Sequence, residues 1–308
     1  MGHGHGHGHA AGRAADRSRL AKVLAITVTA LVVQVVGAWW TGSLALLADA
    51  GHMATDASAV VIALSASWVA SRPVRGRATF GLHRAEILGA VVNAVVLLGV
   101  CGVLGWTALR RLIEPTEVHG VGMLGFALVG LAANALSLTV LMRADRSSLN
   151  IRGAFLEVLT DTLGSLFAIV AAVVIATTGF LRADALATLA IAVLILPRSV
   201  SLLRDAGAVL LEVAPAGLDL DEVHRHLSEV DGVVDVHDLH AWTITSGMAS
   251  LSVHVSVTDE VLAARGPGPV LDALSRCVAD DFGIAHATFQ VEPVGHRHHE
   301  DLGETGCD

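Results

Sequence analysis

The stretches His52-Met53-Ala54-Thr55-Asp56 and Glu157-Val158-Leu159-Thr160-Asp161 each set two ionisable groups four residues apart inside a long apolar run. Between Lys22 and Arg72 the only ionisable side chains are Asp49, His52 and Asp56. Between Arg152 and Arg182 there are only Glu157 and Asp161. Residues four apart on an α-helix lie one above the other, so each bracket aims two ligand-type groups the same way. An ionisable group at the centre of a membrane helix costs about 2.5–3.5 kcal/mol, and five uncompensated ones would cost on the order of 10 kcal/mol or more. A divalent cation shared by the two brackets would offset that cost.

The chain around the brackets has 308 residues, 53% hydrophobic and 16% charged, with mean hydropathy +0.63. Soluble domains usually carry about a quarter charged residues. Here the apolar excess arrives in blocks, which indicates membrane spans. Six are expected, at about 20–40, 44–70, 85–109, 119–142, 153–178 and 184–204. The second and fifth carry the brackets. Trp39 and Trp40 end the first as an interfacial pair. Pro197 and Arg198 interrupt the sixth, so its end is expected to kink, with Arg198 snorkelling to the interface.

No cleavable signal peptide is evident. Thirteen basic residues fall on one side of the expected spans and only Arg110, Arg111 and Arg182 on the other, which places both termini in the cytoplasm. The Gly-His repeat over 1–12 reads either as a tag or disordered tail, or as a low-affinity metal collector.

Composition changes at Pro215. A helix is expected over 219–229, strands over Val233–Trp242 and Ala249–Val257 around Ser246-Gly247, a helix over 269–281 and a strand over 287–291. This αββαβ order describes a small soluble α+β domain. The expected organisation is a His/Gly-rich tail (1–19), an all-α six-span transport domain (20–212), the α+β domain (213–295) and a His-rich tail (296–308) with His296, His298 and His299. Net charge is −9, with much of the acidity past residue 211, so no nucleic-acid partner is suggested. Cys101, Cys277 and Cys307 are scattered and odd in number, which argues against a disulfide framework.

If spans 2 and 5 pack together, the His52 imidazole and the carboxylates of Asp56, Glu157 and Asp161 can converge. Four N/O ligands suit a tetrahedral Zn²⁺, and three carboxylates would also admit Mn²⁺, Fe²⁺, Co²⁺ or Cd²⁺. Asp49, Asn93 and Asn134 are candidates to orient those ligands, although either Asn alone reads better as a helix–helix anchor. Metal binding needs neutral His52 and ionised carboxylates. Metal ions and protons would therefore compete for one set of atoms inside the bilayer, which is antiporter chemistry.

Ser43–Asp56 (Ser-Leu-Ala-Leu-Leu-Ala-Asp-Ala-Gly-His-Met-Ala-Thr-Asp), Phe80–Gly89, Gly153–Asp161 and Val236–Gly247 resemble the cation diffusion facilitator family, specifically its bacterial zinc/cobalt/cadmium resistance branch. The likeness runs from about residue 18 to 293. It implies a homodimeric antiporter of the cell (inner) membrane, not an enzyme, moving Zn²⁺ or a similar ion out of the cytoplasm in exchange for protons. It also implies a metallochaperone-like cytoplasmic module that dimerises.

One departure is Glu157, where the family's zinc-selective pattern has a second His. Another is the short, His-free loop over 143–150. Arg84 and Glu212 sit where relatives place opposite charges at the domain junction, so they read as a coupling ion pair or as solvated headgroup-level charges. His237, His240, His254, His286 and Glu292 lie in segments where the family binds cytoplasmic metal. His237 and His240 point to opposite faces if their strand is regular, so the preferred set is His237, His254 and His286. The rival readings are a membrane metalloenzyme, for which no His-Glu-x-x-His is present, and a metal sensor that binds without transport.

Overall fold

The computed structural model describes residues 6–70, 79–142 and 149–296. The expected six long helices form: α1 (Gly6–Thr41), α2 (Leu44–Ala70), α3 (Ala85–Ile113), α4 (Gly120–Met142), α5 (Leu149–Thr178) and α6 (Arg182–Leu210). Among the described residues, stretches long and apolar enough to cross a membrane lie in α1, α3, α4, α5 and α6. The bracket-carrying α2 has 27 residues, roughly 40 Å at about 1.5 Å per residue. The chain divides into two compact units, one holding residues through Ser65 with Gly89–Leu203, the other Ala66–Leu88 with Arg204 onward.

The first unit is a helical bundle in which α4 lies on α5 and α1 on α4. Small residues fill the crossings: Ala45, Ala127, Ala168 and Ala172 are fully buried. A Cβ on Gly120 would come within 2.9 Å of the Ala176 amide on α5. Close backbone approach through small side chains is how helices associate in lipid, where apolar burial supplies no drive. Many large apolar residues point outward instead, with Trp39 87%, Val193 69% and Val103 66% exposed. That distribution suits an apolar surround and not water.

The start of α2 is held across the bundle. Gly42, at φ +71°, makes the turn out of α1, and Ser43 Oγ accepts the Leu46 amide at 3.2 Å. Buried Asp184, in the first turn of α6, then accepts Ser43 Oγ at 2.6 Å and the Leu44 and Ala45 amides at 2.8 and 3.1 Å. Helix N-termini leave amides unpaired, and here a carboxylate from a distant helix satisfies two of them. The α2 bracket is thereby set in depth against α6. That helix continues through Pro197 to Leu210, so the proline does not end it. Proline removes one amide donor, and the remaining turns carry the helix on.

The second unit contains α7 (Leu220–Ser228), β1 (Val233–Thr245), β2 (Met248–Val257), α8 (Asp259–Arg265), α9 (Gly268–Phe282) and β3 (His286–Pro293). The sheet order is β1-β2-β3, antiparallel then parallel. Val223 and Leu227 of α7 and Val270, Leu274 and Val278 of α9 pack against Leu251, Val253, Val255 and Val257. Alternation along β2 therefore sends Ser252, His254 and Ser256 to the opposite face. The short α8 is an element the sequence reading lacks; Thr258 caps it by accepting the Val261 amide at 3.3 Å.

Candidate functional site

In the first unit the two brackets meet. His52 Nε2 lies 3.4 Å from Asp56 Oδ2 on its own helix and 3.6 Å from Asp161 Oδ1 on α5. One ligand atom from each of the three residues falls within 4.8 Å of the others. His52 and Asp161 are each only 3% exposed. Both ring nitrogens of His52, Asp56 Oδ2 and Asp161 Oδ1 have no hydrogen-bond partner among the described residues. Buried polar atoms are nearly always paired, because an unpaired one loses its hydration for nothing. Three of them, His52 Nε2, Asp56 Oδ2 and Asp161 Oδ1, converge on one spot and suit a cation.

Glu157 is not one of these three, although its carboxylate stands beside that of Asp56. Its carboxylate lies 3.9 Å from Arg198 Nη2, while Arg198 Nη1 lies 3.8 Å from Asp56 Oδ2. Arg198, half-exposed, thus stands between two acids, a pairing that the expectation of snorkelling to the interface did not include. A guanidinium whose N–H groups diverge can serve both carboxylates, and the −1 charge that Glu157 adds in place of a histidine is balanced locally. The sequence reading missed this role because a basic residue near a helix end ordinarily seeks the interface.

Asp49 and Asn134 also miss the trio. Asp49 Oδ2 accepts from Gln34 Nε2 at 2.7 Å and from Ser165 Oγ at 3.3 Å, and Asn134 Nδ2 donates to Ser165 Oγ at 3.3 Å. A Cβ on Gly164 would stand 2.7 Å from Asp49 Oδ1, so glycine is needed for this approach. The network ties α1, α2, α4 and α5 together and makes no hydrogen bond to the trio. Gln34 was unremarked in the sequence reading, although it is the only amide side chain between Lys22 and Asn93.

In the second unit a separate cluster joins His237, His254 and Glu292. β1 pairs His237 with His254, and β3 brings Glu292 beside Ser256. The imidazoles stand 5.4 Å apart, edge to face. His237 Nε2 is 3.3 Å from Glu292 Oε1, and its Nδ1 is 3.1 Å from Asp235 Oδ2, which orients the ring. Glu292 is itself held by Ser256 Oγ at 3.4 Å and Gln290 Nε2 at 3.2 Å.

His286 is not in this cluster: it pairs with Ser250, four residues along β2 from His254, and stacks edge-on against Phe80 at 5.5 Å. The strand is also not regular. A bulge between His237 and His240, with Asp238 at φ 47°, sets two residues of β1, Asp238 and Leu239, against Val253 of β2. The extra residue returns His240 to the face of His237, opposite Ser252. The expected opposite-face geometry therefore does not hold, and His240 stays outside the cluster because it is one pair further along. Arg84 Nη2 meets Glu212 Oε1 at 2.7 Å within this second unit. His298 and His299 lie outside the described residues.

The model of the cation efflux transmembrane domain matches residues 20–211, and that of the cation efflux protein cytoplasmic domain matches 215–294. This chain belongs to the cation efflux family, the cation diffusion facilitators. It is 43% identical to the metal cation efflux system protein CzcD of Cupriavidus metallidurans over 292 residues, 95% of this chain and 90% of that protein. Identity is 36% to the cadmium, cobalt and zinc/H⁺-K⁺ antiporter of Bacillus velezensis, over 97% of this chain and 94% of the relative. It is 38% to the zinc transporter ZitB of Escherichia coli, over 89% and 87%. As a cation efflux protein the chain is a multi-pass membrane transporter of metal cations and not an enzyme.

Proposed function

We propose that the chain exports divalent transition-metal ions, Zn²⁺ foremost, from the cytoplasm in exchange for protons. The observation that carries this reading is the set of unpaired, buried ligand atoms on His52, Asp56 and Asp161 inside an apolar helical bundle. Zn²⁺ accepts such N/O donors at four positions. Glu157 supplies the fourth when it leaves Arg198.

The charges fit an exchange. With neutral His52, three carboxylates give −3 and Arg198 gives +1, a sum of −2 that one divalent cation or two protons neutralise. Ligands must lose protons before they bind metal, so the two cargoes exclude one another. Arg198 keeps the emptied acids from facing each other uncompensated.

In this reading the protein resides in the cell membrane with both termini cytoplasmic, as its basic residues favour. It is a homodimer through its cytoplasmic domain, in which His237, His254 and Glu292 hold a regulatory Zn²⁺. The names of the relatives, a zinc transporter and a cadmium, cobalt and zinc antiporter, support the cargo class.

The test is metal accumulation by inside-out vesicles with acid interiors, run for Zn²⁺, Cd²⁺, Co²⁺, Mn²⁺ and Fe²⁺ on the native protein and Glu157→His. Zn²⁺ uptake that collapses with the proton gradient supports the proposal. Binding without uptake would make the protein a sensor, and uptake indifferent to the gradient would make it a channel.

A further inference from the structure

A third group of metal-type ligands lies in the second unit, away from the His237 cluster. His226, near the end of α7, and Cys277 and Asp281, one turn apart near the end of α9, bring one ligand atom each within 4.8 Å of one another. His226 Nδ1 is 3.0 Å from Asp281 Oδ2, and Cys277 Sγ is 3.9 Å from the same oxygen. The imidazole is braced edge-on against Phe282, with ring centroids 5.2 Å apart. Ligands about 2.0–2.3 Å from a zinc ion stand roughly 3–4 Å from each other, close to the spacing found here.

The surroundings favour a cation. Both helices end here, and the C-terminal end of a helix carries partial negative charge. No basic residue occupies the last turn of α9. Arg225, the basic neighbour on α7, is already paired with Glu229 at 2.9 Å. Burial first, then Asp281 and Glu229, push the Cys277 thiol above its ordinary value. A metal ion would reverse that, because a coordinated thiol gives up its proton.

We propose that His226, Cys277 and Asp281 form a second cytoplasmic metal site, for borderline and soft divalent cations such as Zn²⁺ and Cd²⁺, that clips the end of α7 to the end of α9. It differs from the other two centres in kind. The His52 trio and the His237 cluster offer only nitrogen and oxygen, whereas a thiolate shifts preference toward softer ions. One position on the metal remains for water. The site does not depend on the transport reading: it is a binding site whether or not the protein moves ions.

Sulfur ligation has its own signature. Full-length protein in detergent is titrated with Co²⁺, and the near-ultraviolet sulfur-to-cobalt charge-transfer band is followed. The wild type is expected to develop a saturable band. Cys277→Ser, which nearly preserves the shape of the side chain, should abolish it. His226→Asn and Asp281→Asn should each raise the midpoint about tenfold or more. The combined His237→Ala, His254→Ala variant should leave the band unchanged.

A wild type without the band would overturn the site. So would a band that survives Cys277→Ser, since the thiol would then be Cys101 or Cys307. A midpoint indifferent to both His226→Asn and Asp281→Asn would leave Cys277 binding alone and equally refute the three-ligand site.

Discussion

The membrane trio and the His237 cluster draw on the same chemistry, imidazole and carboxylate, but their ligand atoms meet different surroundings. Around His52, Asp56 and Asp161 the facing atoms have no hydrogen-bond partner among the described residues, and only Arg198, 3.8 Å from Asp56, offers a charge. Around His237, by contrast, Asp235 holds one ring nitrogen, Glu292 faces the other, and Ser256 and Gln290 hold Glu292. A site whose atoms are already satisfied can stand empty at little cost, and a bound metal mainly stiffens it. A site of orphaned atoms in an apolar bundle requires a cation or protons at every moment. The first arrangement suits a resident ion and the second a cargo that must be exchanged.

The largest expected effect breaks the exchange site alone. Asp161→Asn should lower proton-driven Zn²⁺ uptake by on the order of 100-fold or more, since even partners that merely orient a ligand are worth about 10–100-fold. Metal binding at the cytoplasmic cluster should survive. Conversely, Glu292→Gln should weaken cytoplasmic Zn²⁺ binding by about 10–100-fold, read by calorimetry, while uptake at saturating zinc changes little.

Arg198→Gln sharpens the comparison by removing the cation that stands between Asp56 and Glu157. Zn²⁺ should bind the membrane site up to about tenfold more tightly, a modest gain because the guanidinium is half-exposed and screened. Turnover should slow, because release becomes harder. Gln34→Leu tests the structural network instead. It should cost about 1–2 kcal/mol of stability, measured by thermal unfolding in detergent, with transport per folded molecule preserved. The smallest effect belongs to Arg84→Ala, below about 1 kcal/mol for an exposed pair.

Much of this was legible beforehand because it is local. Two ionisable groups four apart in an apolar run share a helix face, so each bracket followed from spacing, whereas their meeting depended on how α2 and α5 pack. The six helices followed from blocks of hydropathy. What escaped depended on register and long-range approach. His286 was preferred over Glu292 because the slide of parallel β3 along β2 leaves no mark in the sequence, and a few residues decide which side chain stands beside His254. The bulge at Asp238 likewise inverts a face that alternation alone assigns. The pairing of Arg198 with Asp56 and Glu157 escaped because it depends on how α6 docks. Asp184, which caps α2 from 140 residues away, gave no local signal at all. The capping Thr258 before Asp259-Glu260 was available and marks α8.

The most direct test follows zinc and luminal pH together in inside-out vesicles with acid interiors, comparing native protein with Asp161→Asn. Zinc entry matched by proton exit, with both lost in the variant, is the expected result. Proton exit without zinc, zinc entry with no change in pH, or a variant that performs like the native protein would contradict a single ligand set shared by metal and protons.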